Sequence, residues 1–278
     1  MGRCRQVKKG SGIQYELFRV NPCFYYAHYD HLEIQDFITP ENIDIHSDKI
    51  IKGYQRLLAP FKGTLSLHAP FQVSVGSMDR QEQNTALNRL SKALLLGSEI
   101  GCTTMVVHSC FNPNVNYPTY LGSWVDNAIW FWERFLPLCV RKNMVITVEN
   151  IHDRTPNAML QVLKNFKSPF LRACLDTGHA NIFSRLPVEE WIELLGNYLT
   201  HLHVHDNHGF EDEHLPVGRG DIDFSWLSRF KDDRKTTLVN EAFGSIKEER
   251  AFLDFLHSYQ HDGRLSSKKI YVEGGGAS

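Results

Sequence analysis

Residues 199–206 read LTHLHVHD, an apolar run threaded with histidines at every second position. Side chains on a β-strand point alternately to opposite faces, so His201, His203 and His205 share one face while Leu202 and Val204 take the other. A strand that is apolar behind, histidine-rich in front and closed by a ligand-type residue is not peculiar to this stretch. Residues 64–68 (TLSLH) end at His68, 104–108 (TMVVH) at His108, 144–149 (MVITVE) at Glu149, 172–176 (RACLD) at Asp176 and 237–241 (TLVNE) at Glu241.

With 13–20 (IQYELFRV) and 32–37 (LEIQDF), these make eight candidate strands. Segments of helical periodicity separate most of them, at 79–97 (apolar at Leu87, Leu90, Ala93 and Leu94), 124–141 and 188–198. Strands alternating with helices form βα units and a parallel sheet. Eight such units predict the α/β class and a (β/α)8 barrel. The first unit is expected to be irregular, because NPCFYYAHYDH (21–31) carries no helical repeat. Its His28 and His31 are candidates for part of a lid.

Nothing between residues 11 and 260 reads as a linker or low-complexity run, so one domain is expected over 11–262, with tails at 1–10 and 263–278. The Gly-rich end EGGGAS (273–278) is expected to be disordered. Thirty basic residues against 32 acidic ones give a net charge of −2, which offers no chain-wide footprint for nucleic acid or an anionic membrane. Cys4, Cys23, Cys102, Cys110, Cys139 and Cys174 lie far apart without a CxxC pair, a pattern of reduced thiols in a cytoplasmic protein. No apolar stretch follows the basic N-terminus, and no run of 18 apolar residues suggests a membrane span.

In a parallel barrel all C-terminal strand ends face one rim, where such barrels place their active sites. Any one histidine there reads equally well as a satisfied residue at the core edge. Six polar endings that converge on one rim point instead to a shared metal site, because inward polar groups are costly unless paired or bound to metal.

The motifs SLHAPF (66–71), VVHS (106–109), VENIHD (148–153), LDTGHANIF (175–183), HVHDN (203–207), DEHLPVGRGDIDF (212–224) and NEAF (240–243) resemble the xylose isomerase-like TIM-barrel superfamily. That group includes the endonuclease IV (AP endonuclease family 2) enzymes and many sugar-phosphate isomerases and epimerases. The resemblance runs from about residue 60 to 245, and LDTGH and DEHLPVGRGDID are its most specific parts. It implies nine metal ligands: His68, His108 and Glu149 at one position; Glu149 (bridging), Asp176, His203 and Glu241 at a second; His179, Asp212 and His214 at a third. Such a set without cysteine suits zinc or manganese, one to three ions per chain. Mononuclear epimerases of the group need only Glu149, Asp176, His203 and Glu241, with Glu149 and Glu241 as the catalytic acid and base.

The resemblance makes His205 either substrate-facing or a support behind the metal ligands, while His201, deeper in the barrel, reads as packing and His208, in the loop, as solvent-facing. Arg219, Arg154 and Arg185 are candidates to hold a phosphate. Phe71 and Trp124, with Phe111, Tyr117 and Tyr120, are placed to stack on a substrate or to cover the barrel mouth.

Two chemistries follow, and a metal that only stabilises the fold is the weakest alternative. The preferred one is metal-assisted isomerisation or epimerisation of a sugar or sugar phosphate. The second is phosphoester hydrolysis of the endonuclease IV type, favoured by the nine-ligand set. Against a nucleic-acid substrate, the loops at 109–122 and 206–220 carry one basic residue, Arg219, and the loop after His68 (APFQVSVGSMDR) lacks the aromatic-rich segment expected of the endonucleases.

Overall fold

A computed structural model of the protein describes residues 7–262 except 72 and 243. The readings for residues 1–6, Cys4 among them, and for the tail 263–278 lie outside the described residues. Eight parallel strands close in sequential order: β1 (Lys8–Ile13), β2 (His31–Ile34), β3 (Thr64–His68), β4 (Thr104–His108), β5 (Val145–Glu149), β6 (Leu171–Asp176), β7 (Leu199–Val204) and β8 (Thr237–Asn240). The seam pairs Lys8 with Thr237 and Ser11 with Asn240. The chain is a single (β/α)8 barrel.

The last six strands fall within a residue of the apolar runs that announce them. The first does not. Residues 13–20 were expected to be a strand, but only Ile13 belongs to one, and Tyr15–Phe18 forms the short helix α1. The strand is KKGSGI, which has no apolar alternation to find. It begins at Lys8, so the barrel starts ahead of residue 11. At Gly10 the strand needs its glycine, since a Cβ would sit 3.0 Å from Val239 and 3.3 Å from the Leu238 carbonyl.

The first crossover is irregular as expected, although 21–31 is partly helical: α2 (Pro22–His28) buries Phe24 and Tyr25. Seven residues are too few to show a helical repeat. His31 is not in a lid; it opens β2 and is buried inside the barrel. Short α3 (Pro40–Asp44) and α4 (Ser47–Leu58) complete that unit.

The outer ring continues with α5 (Arg80–Ile100), α6 (Tyr120–Lys142), α7 (Asn157–Phe166), α8 (Thr177–Phe183), α9 (Val188–Leu195) and α10 (Ile246–Asp262). Helix α5 starts where Asp79 accepts a hydrogen bond from Gln81 N at 2.7 Å and stops at Gly101 with φ 102°. Helix α6 lays Phe131, Trp132 and Phe135 into the layer between barrel and helices. Outward strand positions such as Leu32, Leu67, Val107, Leu175 and Leu202 meet this layer and are fully buried. Among the described residues, no helix is long and apolar enough to cross a membrane.

Trp132→Ala is expected to destabilise the barrel by about 3–5 kcal/mol, the usual cost of an emptied aromatic site in a core. Trp130→Ala, whose ring lies half-buried between the guanidinium groups of Arg80 and Arg134, is expected to cost much less. Urea unfolding of the two variants checks this; equal losses would contradict the assignment of Trp132 as the anchoring face of α6.

Candidate metal centre and active-site pocket

Strands β3 to β6 deliver His68, His108, Glu149 and Asp176 to the C-terminal rim as their last residues. His203 sits one position inside the end of β7, and Glu241 follows β8 directly, its N–H donating to Val204 O at 3.1 Å. All six side chains are buried. The register turns the 148–153 motif into a clamp: Asn150 accepts from Asp176 N at 2.8 Å and donates to Asp176 O at 3.0 Å. Asp176 in turn caps α8, accepting from His179 N at 2.6 Å, so the residue that ends β6 also aims His179 inward.

Asp212 and His214 come from the loop after β7, which is organised by Asp206. That buried carboxylate accepts hydrogen bonds from the backbone of Gly218 and Gly220 at 2.9 Å each and of Ile222 at 3.1 Å. Asp206 and Leu215 form a two-residue antiparallel bridge that folds the loop back over the rim. A Cβ at Gly220 would lie 2.3 Å from Asn207 O. The glycines of GRG are thus there to bring their amides onto Asp206, and Arg219 between them is exposed and outside the pocket, contrary to its expected role as a phosphate holder.

His68, His108, Glu149, His179, Asp212, His214 and Glu241 line a pocket of about 640 Å3, and the fully buried Asp176 and His203 lie beneath its floor. His203 Nδ1 lies 3.3 Å from Glu149 Oε1 and 3.3 Å from Glu241 Oε1, between the two glutamates. His68 Nε2 is 3.2 Å and His108 Nε2 3.5 Å from Glu149 Oε2. His179 Nδ1 is 3.4 Å from Glu149, and its Nε2 is 3.3 Å from Asp212; His214 Nε2 is 3.1 Å from that same Asp212 oxygen. All nine residues expected as metal ligands are therefore brought together.

Three of the rings are oriented by backbone. Nδ1 of His68 lies 2.8 Å from Ala69 O, that of His179 2.9 Å from Asn150 O, and that of His214 3.0 Å from Glu241 O. A ring whose Nδ1–H is spent on a carbonyl presents its Nε2 lone pair on the other side, the arrangement that metal-binding histidines use. Triads with ligand atoms within 4.8 Å of one another include His68–Glu149–His203, Glu149–Asp176–His179, Glu33–His203–Glu241 and His205–Asp212–His214.

Of its two expected places, His205 takes the one behind the ligands rather than the one facing the substrate. It is fully buried, stacks at 4.0 Å on the His214 ring, and sets Nε2 3.1 Å from Asp176 Oδ2; it lies beneath the pocket and does not line it. A Cβ at Gly178 would come 2.0 Å from its ring, so the glycine of LDTGH is the space that His205 fills.

The electrostatics are those of acids and imidazoles forced together. Burial alone would raise the Glu149 carboxyl, but His203 and His108 hold it well below the usual carboxylate range. Burial raises Glu241 above its ordinary value despite His203. Burial opposes protonation of His203, yet Cys174, Glu241, Glu149 and Glu33 keep it well above 6.5; Asp176 does the same for His179. His108 is pushed down to about 3, chiefly by burial. No lysine or arginine lines the pocket, so only protons on histidine or a bound cation can balance these carboxylates. The buried His205 Nδ1 has no hydrogen-bond partner among the described residues. Four buried carboxylates with pre-oriented imidazoles fit a divalent cation.

Sequence reading missed Glu33 and Gln35. Glu33 is fully buried and lies 2.9 Å from both His203 Nε2 and His201 Nε2. Gln35 donates to Glu33 at 3.0 Å and to Glu241 at 2.9 Å. The signal was the alternation in His31, Glu33 and Gln35, obscured because β2 is only four residues long. His201, read as mere packing, belongs to this same buried network.

Among the expected substrate contacts, Phe71 lines the pocket and stacks on His108 at 4.8 Å. Trp124 does not line it: it is buried behind Phe111, ring centroids 5.2 Å apart, against Gly76. Arg154 donates to Asn114 at 2.6 Å, and neither it nor Arg185 lines the pocket.

Glu33→Ala leaves His203 without its carboxylate and is expected to weaken zinc binding about 10- to 100-fold, measured by chelator competition. Unchanged affinity would detach Glu33 from the centre. A second expectation concerns pH. Because His179 and His203 hold protons above 6.5 without metal, zinc uptake near pH 7 must expel them, and affinity rises with pH by about tenfold per unit for each proton displaced. Calorimetry in two buffers of different ionisation enthalpy measures that release; none at all would contradict these assignments.

Comparison with known proteins agrees with this architecture. The uncharacterized protein MJ1311 of Methanocaldococcus jannaschii is 28% identical over 187 residues, 64% of this chain and 63% of that protein, so the match spans just under two thirds of the relative's length. The TTHB071 protein of Thermus thermophilus, solved after soaking with ZnCl2, superposes with a TM-score of 0.76 at 25% identity over 93% of this chain and 100% of its own. A D-tagatose 3-epimerase-like protein gives a TM-score of 0.74 at 22% identity over 92% and 99%. Residues 29–257 match the model of one family, and the chain belongs to it: the xylose isomerase-like TIM barrel family.

Proposed function

We propose that the protein is a metal-dependent epimerase or isomerase acting on a small, unphosphorylated sugar. The observation that carries this reading is the placement of Glu149 and Glu241 on either side of His203 Nδ1, at 3.3 Å each, at the floor of a pocket lined by no lysine or arginine. Aromatic faces (Phe71, Phe111) and amides (Gln35, Asn112, Asn114) line the rest, a chemistry suited to sugar faces and hydroxyls. About 640 Å3 accommodates a monosaccharide. The zinc-soaked and epimerase-like structural neighbours are consistent with both halves of the proposal.

Glu149, Asp176, His203 and Glu241 would hold the cation, zinc or manganese by their chemistry, with the remaining histidines and Asp212 available for further ions. A divalent cation there supplies the Lewis acidity that makes the hydrogen beside a sugar carbonyl removable. The protein supplies the proton transfer. Glu241, whose affinity for protons burial raises, takes the hydrogen from the carbon as a proton, and Glu149, held ionised on the other side, passes to the opposite face a proton that it first takes up from water. Gln35, bonded to Glu241, holds that carboxylate in place. Phe71, 44% exposed at the mouth, covers the substrate against water. Free Cys23, Cys102, Cys110, Cys139 and Cys174 support a reducing compartment, the cytoplasm.

Phosphoester hydrolysis is the second reading, favoured by the extra donor set of His179, Asp212 and His214 around one carboxylate oxygen. Against it stands the absence of lysine and arginine from the lining, which a phosphate or a nucleic-acid backbone would call for.

Glu241→Gln is expected to lower turnover of a ketohexose such as tagatose by about 10²–10⁴-fold with the melting temperature unchanged. In D2O the wild type should wash deuterium into the carbon beside the carbonyl, and the variant should not. Retained exchange in Glu241→Gln, or cleavage of a phosphodiester without any exchange by the wild type, would overturn the proposal.

A further inference from the structure

The barrel has a second hollow, at the mouth opposite the metal centre, between the N-terminal ends of the strands. It measures about 230 Å3, and its lining inverts the chemistry of the upper pocket: Lys8, Arg172 and Lys235 bring three cations, six threonines bring hydroxyls, and no carboxylate lines it. TIM-barrel interiors are ordinarily closed at this level by branched apolar side chains.

Strand alternation puts Arg172 on the same face of β6 as Asp176, inside the barrel. Its Nη1 donates to the carbonyls of Ser168 at 2.9 Å and Leu171 at 3.4 Å. Those bonds hold the guanidinium at the mouth, while Nη2 and Nε have no protein acceptor among the described residues. Thr147, also inward and only 1% exposed, lines the hollow with an Oγ1 that has no hydrogen-bond partner. A buried hydroxyl without a partner is costly, and three cations around one cavity repel each other, so the site is short of one thing, an acceptor carrying negative charge. The roof does not supply it. His31 spends its ring nitrogens on Thr64 at 2.8 Å and Ser66 at 2.7 Å, and His201 turns Nε2 to Glu33 at 2.9 Å.

We propose that the N-terminal mouth of the barrel is a second ligand site, taking a small oxyanion: free phosphate or sulfate, or the phosphoryl group of a small phosphomonoester. The guanidinium fork matches two oxygens of such a group, and the two ammonium groups add charge without fixed geometry. The site does not depend on the epimerase reading, since it shares no lining residue with the upper pocket.

The test uses metal-loaded, full-length protein titrated calorimetrically with sodium sulfate, with phosphate and with glycerol phosphate. One saturable sulfate site per chain is expected, weakened roughly tenfold in Arg172→Gln and several-fold in Lys235→Gln, and unchanged in Glu241→Gln at the upper pocket. Lys235 is exposed, so its variant keeps the result interpretable if Arg172→Gln does not fold. Glycerol phosphate binding more tightly than phosphate would assign the site to a phosphomonoester, and the reverse order to the free ion. In crystals soaked with selenate, the anomalous peak belongs between Arg172 and Lys235. No saturable binding, or binding that survives both lower variants and vanishes in Glu241→Gln, would overturn the proposal.

Discussion

Buried negative charge is the constraint around which this barrel is built. Glu33, Glu149, Asp176 and Glu241 are each at most 4% exposed, within one connected set of side chains beneath or at the floor of a pocket that no lysine or arginine lines. Carboxylates so placed are tolerable only if each finds charge and hydrogen bonds nearby. Histidines provide both, with Gln35 and Ser66 completing the hydrogen bonds to Glu33. The same arrangement that makes the site costly to fold makes it a cation trap, because protons on its histidines, His179 and His203 among them, are positive charge that a metal can replace.

This network runs the length of the barrel axis. From Glu241 it passes through Gln35 to Glu33, from Glu33 to Ser66 and His201, and from Ser66 to His31 and Thr64 at the far mouth. Helices and outward strand positions hold the usual apolar layer, so the hydrophobic effect fixes the shell while polar contacts fix the interior. Strand β1 shows the cost of that division: its inward glycines leave room for the histidine and glutamate of β2, and apolar side chains there would fill the axis.

Legibility in the sequence followed the same division. Strands β3 to β8 announced themselves because an apolar outer face and a polar rim residue occur together within five or six residues, as in TMVVH and RACLD. The rim donors were readable for that reason, and those beyond the strands (His179 on α8, Asp212 and His214 on the loop after β7) only through resemblance to a family. Strand β1 was not readable, since KKGSGI contributes backbone more than side chains. Glu33 escaped because a four-residue strand shows alternation only once. Arg219 and Trp124 were misplaced because residue type suggests a role but not a direction: Arg219 faces where its neighbours' amides, drawn onto Asp206, leave it, and Trp124 on α6 packs against Gly76 behind Phe111.

The central claim, that a divalent cation completes this buried charge cluster, is tested most directly by elemental analysis of freshly purified protein joined to its melting curve before and after chelation. The account predicts at least one tightly held zinc or manganese ion per chain, a lower melting temperature once it is stripped, and recovery when it is returned. Metal-free protein with an unchanged melting temperature at neutral pH, indifferent to added zinc and manganese, would contradict it.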